Sequence, residues 1–215
     1  MSASLWLCAD VRAIEARALT GRVSAALALL STVGIASSRV TVWLRSLSTL
    51  DGGAALRLCR DCRETTQRTG AQLVVGERAD LALLSDADGV HVTTHGPSAR
   101  DTERYLLRVG AHELWLSAAV HDPFSARESA RYCSALVASP FDNVPSKAPA
   151  LGVAGLSAIV AAAPARATIA LGGIDDDSLA ARALSAGASG VAVRRALVSD
   201  AWEKSLVSVA RALVA

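Results

Sequence analysis

Two glycine-bearing segments in the last quarter of the chain have the make-up of an anion cradle. Ala170-Leu171-Gly172-Gly173-Ile174 is one, and the run from Ala186 to Val193, with Gly190 and Val191, is the other. Glycine lets backbone N–H groups approach a phosphate closely because no Cβ stands in the way. Arg194 and Arg195 follow at once and would add positive charge. Either segment alone would serve as a tight turn; the two together favour phosphate. A polar loop from Ser139 to Lys147 contains Ser146 and Lys147. Lys147 is placed to neutralise a phosphate or a leaving group, where a lone loop lysine would simply be solvated. Ser117 and His121 lie in one short stretch. His121 is the candidate general acid or base, since imidazole titrates near neutral pH. Its neighbour Asp122, ahead of Pro123, reads as a helix cap. Arg45, two residues after Trp43, offers a guanidinium for an anionic group, with Trp43 itself read as core.

These residues fall just after short apolar runs rich in β-branched side chains. The runs are Leu5–Cys8, Val40–Leu44, Gln72–Val75, Gly89–Val92, Leu114–Ser117, Ala135–Ala138, Thr168–Leu171 and Gly190–Val193. Apolar on both faces, they predict buried parallel strands covered by helices. Between them lie Ala/Leu/Arg-rich stretches of helical period, among them Ala54–Thr69, Ser178–Ala186 and Ala201–Val214. Strand starts recur roughly every 20 to 35 residues, the length of one strand-plus-helix unit. Eight such units predict an α/β fold, a closed (β/α)8 TIM barrel formed by a single domain over residues 1–215. An open doubly wound sheet is the alternative, weakened because no G-x-G-x-x-G follows the first strand. In a barrel, ligands meet the loops at the C-terminal strand ends, where the candidate residues cluster.

Composition narrows the class. The chain has 215 residues, 52% hydrophobic and 20% charged, which excludes a disordered or collagen-like chain. A net charge of +2 argues against a nucleic-acid partner, which would need clustered phosphate-neutralising charge. No apolar run is long enough to span a membrane and no signal peptide is evident. Of the four cysteines, Cys8, Cys59, Cys62 and Cys133, the middle two form a C-x-x-C inside a predicted helix. A redox pair belongs at a helix N-terminus, and a zinc site needs two further ligands. Free thiols without an export signal point to a cytoplasmic location.

Taken in order, the segments resemble the thiamine phosphate synthase/TenI superfamily over most of the chain. Leu5–Asp10 is similar to the family's first strand, Arg78–Leu83 to its D/N-R-x-D-L-A segment, and Ala87–His91 to A-D-G-V-H. Ser117 and His121 match its S-x-x-H stretch with one extra residue, and Ser146-Lys147 the end of its T-x-T-K loop. Ala170–Ile174 and Ala186–Val193 match A-I-G-G-I and A-G-A-D-G-V-A-V. The resemblance implies a (β/α)8 barrel of thiamine biosynthesis. The synthase joins hydroxymethylpyrimidine diphosphate to thiazole phosphate, with Mg²⁺ held by two carboxylates. Here only Arg45 remains of Q-x-R-x-K, Glu77 would keep one metal carboxylate, and Gly96 stands where the second belongs. The related thiazole tautomerase moves a proton and needs no metal. The leading expectation is therefore a barrel that binds a phosphorylated thiazole and aromatises it. His121 and Lys147 would be catalytic, and Arg45, Ser117, Ser146, Gly172, Gly173, Gly190 and Val191 would bind substrate and phosphate. A synthase with an altered diphosphate site and a non-catalytic phosphometabolite- or partner-binding paralogue are the alternatives. No cofactor is expected unless the synthase reading holds, when Mg²⁺ would bind. The expected partner is a small phosphorylated heterocycle, with neither nucleic acid nor membrane, and a homodimer is in keeping with the fold.

Overall fold

Alternation within each apolar run decides which side chains face the barrel axis and which face the helices. In the computed structural model, which describes residues 3–145 and 149–214, all eight runs become strands. They are β1 (Ser4–Asp10), β2 (Val40–Arg45), β3 (Gln72–Gly76), β4 (Gly89–Val92), β5 (Trp115–Val120), β6 (Ala135–Ala138), β7 (Ala167–Leu171) and β8 (Gly190–Val193). Every pair is parallel, and the strands close in chain order, β8 returning to β1. The open-sheet alternative is excluded. Outward residues such as Leu5, Leu7, Val42, Leu44, Leu73 and Val191 join a continuous core under the helices.

The helices are α1 (Ala16–Thr32), α2 (Gly52–Thr69), α3 (Ala79–Leu84), α4 (Ala99–Arg108), α5 (Pro123–Ser129), α6 (Gly152–Ala162), α7 (Asp177–Ser185), α8 (Arg195–Val198) and α9 (Trp202–Val214). Four begin where a side-chain oxygen accepts from an exposed N–H: Asp51, Ser98, Asp122 and Asp176 cap α2, α4, α5 and α7. Asp122 forms a capping box with Ser125, and Pro123 takes the first helical position. The C-x-x-C cysteines sit inside α2, buried and unpaired. Burial pushes both thiols up to about 12, so they behave as small apolar side chains rather than a redox pair.

The lumen is filled in an unusual way. Branched aliphatic residues usually dominate a barrel interior. Here Trp6, Trp43 and Trp115 occupy it, edge to face, with Trp6 5.8 Å from Trp115 and 6.5 Å from Trp43 between ring centroids. Small neighbours make the room. A Cβ at Gly89 would lie 2.7 Å from the Trp115 ring. Among the described residues, no helix is long and apolar enough to cross a membrane.

Candidate active site

The C-terminal strand ends bring together the β7 turn and a group of charges from β1, β2 and β8. Gly172 and Gly173 have φ of +106° and +80°, a left-handed pair that glycine alone takes without strain. The turn is braced by the loop after β6: Phe141 N–H donates to the Leu171 carbonyl at 2.8 Å and Asp142 N–H to the Gly172 carbonyl at 2.9 Å. A Cβ on Gly173 would lie 2.7 Å from that of Asp142, so the bend needs glycine twice over. Such a turn exposes N–H groups on a concave face that suits an oxyanion. Arg195 stands beside it, paired with Asp175 at 2.6 Å across the two loops.

A second group of charges surrounds Asp10. Inward parity on β1 takes Trp6, Cys8 and Asp10 up the lumen, so the carboxylate ends the strand beneath the rim, 2% exposed. Arg194 Nε lies 2.8 Å from Asp10 Oδ2 and Arg45 Nε 3.8 Å from the same oxygen. The Arg12 N–H donates to the other oxygen at 3.1 Å. Burial alone would raise the Asp10 carboxyl, but the hydrogen bonds from Ser46 and Arg12 and the two arginines hold it below the usual carboxylate range. Arg45 lies over the Trp43 ring at 5.3 Å and reaches Cys8 Sγ at 3.8 Å. Burial pushes the Cys8 thiol up to about 11, so it stays neutral beside the cations.

His121 is exposed just past β5. Its Nδ1 lies 2.6 Å from the Ser139 carbonyl oxygen. A carbonyl only accepts, so Nδ1 carries a hydrogen, and in the neutral ring the lone pair is on Nε2. Glu77 follows β3 in a left-handed conformation, φ 62°, and accepts from the Thr93 hydroxyl. Gly96 faces it: a Cβ there would lie 3.7 Å from Glu77 Oε1. The position that would supply a second metal carboxylate therefore adjoins the first, and carries no side chain. Among the described residues no cluster of three metal-binding side chains forms. Mg²⁺ favours several hard oxygen ligands, and the residues present do not fit the two-carboxylate site.

Three expected site residues lie elsewhere. Gly190 begins β8 at the opposite end of the barrel, paired with Ser4 and Ile169. A Cβ there would sit 2.9 Å from the Ser4 carbonyl carbon and closer still to its oxygen, so this glycine serves strand contact rather than an anion. Val191 points out into the helix layer and is fully buried. Ser117 faces the lumen four residues below His121, fully buried, with its Oγ 2.9 Å from His91 Nδ1. Ser146 and Lys147 lie outside the described residues. Asp10 and Arg194 were the partners that the sequence left unassigned as a pair; a charged residue on the inward parity of an apolar strand is the signal for the first.

Two surface cavities, of about 450 and 380 Å³, open at the N-terminal end and share Gln72 and Trp115. Their arginines are already engaged, Arg63 by Asp88 at 2.8 Å and Arg39 by the carbonyls of Ala3 and Leu213. The opposite rim, with half-exposed guanidiniums and the glycine turn, is the better anion site.

Residues 11–197 match the family model described as thiamine monophosphate synthase. A thiamine-phosphate synthase of Chloroflexus aurantiacus is 34% identical over 158 residues, covering 72% of this chain and 70% of its own. One from Thermobifida fusca is 33% identical over 203 residues, covering 91% and 85%. Among solved structures, a thiamine phosphate pyrophosphorylase from Pyrococcus furiosus superposes with a TM-score of 0.78 at 22% identity, covering 98% of this chain and 95% of its own. At that identity the superposition speaks for the barrel alone.

Proposed function

The chain belongs to the thiamine phosphate synthase/TenI superfamily, and from that premise we propose that it forms thiamine phosphate from a pyrimidine diphosphate and thiazole phosphate. The relatives that match are named as synthases, which reverses the order of readings expected from the sequence, where the tautomerase led. The single observation that carries the proposal is the arginine pair on Asp10, on the same rim as the glycine turn and joined to it through the adjacent end of β8. One anion site suits the thiazole phosphate and the other the diphosphate. In the coupling, the thiazole nitrogen uses its lone pair to form a C–N bond to the pyrimidine methylene. The bond from that carbon to the diphosphate oxygen breaks, and its electron pair leaves with the diphosphate. Charge builds on the leaving group, and guanidiniums held in advance stabilise it without reorganising.

A second reading, proton-transfer aromatisation of a thiazole carboxylate phosphate, is favoured by His121, whose Nδ1 is fixed on the Ser139 carbonyl and whose Nε2 has no hydrogen-bond partner among the described residues, and by Gly96 facing Glu77. One assay separates the two. Purified protein given both synthase substrates is expected to make thiamine phosphate, detected by chromatography after oxidation to thiochrome; no product at any substrate or Mg²⁺ concentration overturns the proposal. Ring-nitrogen attack needs no proton transfer, so His121→Gln is expected to keep coupling within about tenfold of the parent, whereas general acid–base work would cost about 100-fold or more.

A further inference from the structure

Three features of the rim point to a diphosphate subsite that does without a metal. First, Glu77 has a glycine, Gly96, where a second carboxylate would complete a divalent-cation site, and its own carboxylate is engaged by Thr93. Second, a buried carboxylate, Asp10, holds two arginines from different strands, one of them from β8. Third, both arginines face Asp10 through Nε, and their side chains remain 33% and 46% exposed, Arg45 and Arg194 respectively. The Arg194 terminal nitrogens have no protein acceptor among the described residues. A guanidinium anchored through Nε still presents its outer edge, the geometry that grips phosphate oxygens in pairs.

We infer that this subsite binds a diphosphate without a divalent cation, with Arg45 and Arg194, both held by Asp10, supplying the positive charge that an ion would otherwise bring. The inference rests on the synthase reading for the identity of the anion, but not for its binding. Among the described residues, the charged groups linked in this cluster are Arg45, Arg194, Asp10 and Glu77; Cys8 is neutral. Glu77 acts on Arg45 through space. Without a metal, its negative charge opposes an incoming diphosphate. With a metal, it would be the ion's ligand. Its removal therefore has opposite signs in the two cases.

Inorganic pyrophosphate titrated into the full chain by calorimetry, once in EDTA and once with excess Mg²⁺, tests this. Saturable binding in EDTA is expected, weakened about tenfold or more in Arg194→Gln, as loss of a charge-assisted pair implies. Glu77→Gln is expected to bind as tightly as the parent or tighter. Arg194→Lys, which keeps the charge but not the fork, is expected to fall between parent and Arg194→Gln, and serves if the latter does not fold. Binding that appears only with Mg²⁺ and is lost in Glu77→Gln overturns the inference. Undiminished binding in a folded Arg194→Gln protein also overturns it, leaving Arg194 as a pin between β8 and β1. Pyrophosphate bound in EDTA by a protein that makes no thiamine phosphate removes the synthase reading and leaves the inference standing.

Discussion

Gly190→Ala is expected to lose about 3 kcal/mol or more of folding stability. The loss would come at the seam where β8 closes on β1. The strands meet there through Ser4 and Gly190, and the added methyl would strike the Ser4 carbonyl, which the barrel cannot move without parting the ladder. Flexible side chains relax around an extra methyl; a backbone carbonyl in a closed sheet does not. Urea unfolding measures the loss. Whatever fraction folds is expected to bind thiamine phosphate as the parent does, because the residue is at the other end of the barrel from the glycine turn. Normal stability with lost phosphate binding would return Gly190 to the anion site that the sequence suggested for it.

The second large effect is on acid stability. His91 is fully buried in the lumen, tilted at 52° to Trp43 with ring centroids 4.1 Å apart, with Nδ1 on Ser117 and Nε2 without a partner among the described residues. Burial first, and then the charge of Arg45, push its pKa down from 6.5 to about 3. The folded protein thus keeps the imidazole neutral, while the unfolded chain takes up a proton as pH falls through about 6.5. Below that point the unfolded state binds more protons, and stability falls by about 1.4 kcal/mol per pH unit until the folded pKa is reached. Between pH 7 and pH 5 the expected loss is roughly 2 kcal/mol, and above pH 7 this histidine contributes no slope. Asp10, whose carboxyl is held low, adds its own loss only as pH falls below about 4, the ordinary range of an unfolded aspartate. The window from pH 7 to 5 therefore isolates the histidine from that carboxylate. Urea titrations at the two pH values, on the parent and on His91→Gln, check this. The variant is expected to be less stable throughout but to lose most of the slope; an unchanged slope would place the titration elsewhere.

The barrel was legible because its strands are short, apolar on both faces and regularly spaced. Gly89–Val92, Ala135–Ala138 and Gly190–Val193 run between the same residues in sequence and structure. The first helix carries no side-chain cap to mark its start, and it forms over Ala16–Thr32. For the site, sequence reading found the residues at the C-terminal strand ends, Arg45, His121, Gly172 and Gly173. It erred where a matching segment was taken whole. The Ala186–Val193 segment enters its strand at the far end, so Gly190 and Val191 cannot reach the rim that Gly172 reaches by leaving its own. Ser117 was misplaced for a similar reason: it lies four residues before His121, roughly 13 Å back along the strand and inside the lumen. The Asp10 cluster was out of reach because the register of β1 on β2 sets Asp10 beside Arg45, and only closure of β8 on β1 brings Arg194 to them.

Calorimetric binding of thiamine phosphate, with unphosphorylated thiamine as its control, tests most directly that the rim holds a phosphorylated thiazole. Saturable binding of the phosphate ester is expected, with thiamine at least about tenfold weaker because the glycine turn and its charged neighbours would have no anion to hold. Equal affinity for the two, or none for either, would contradict the account.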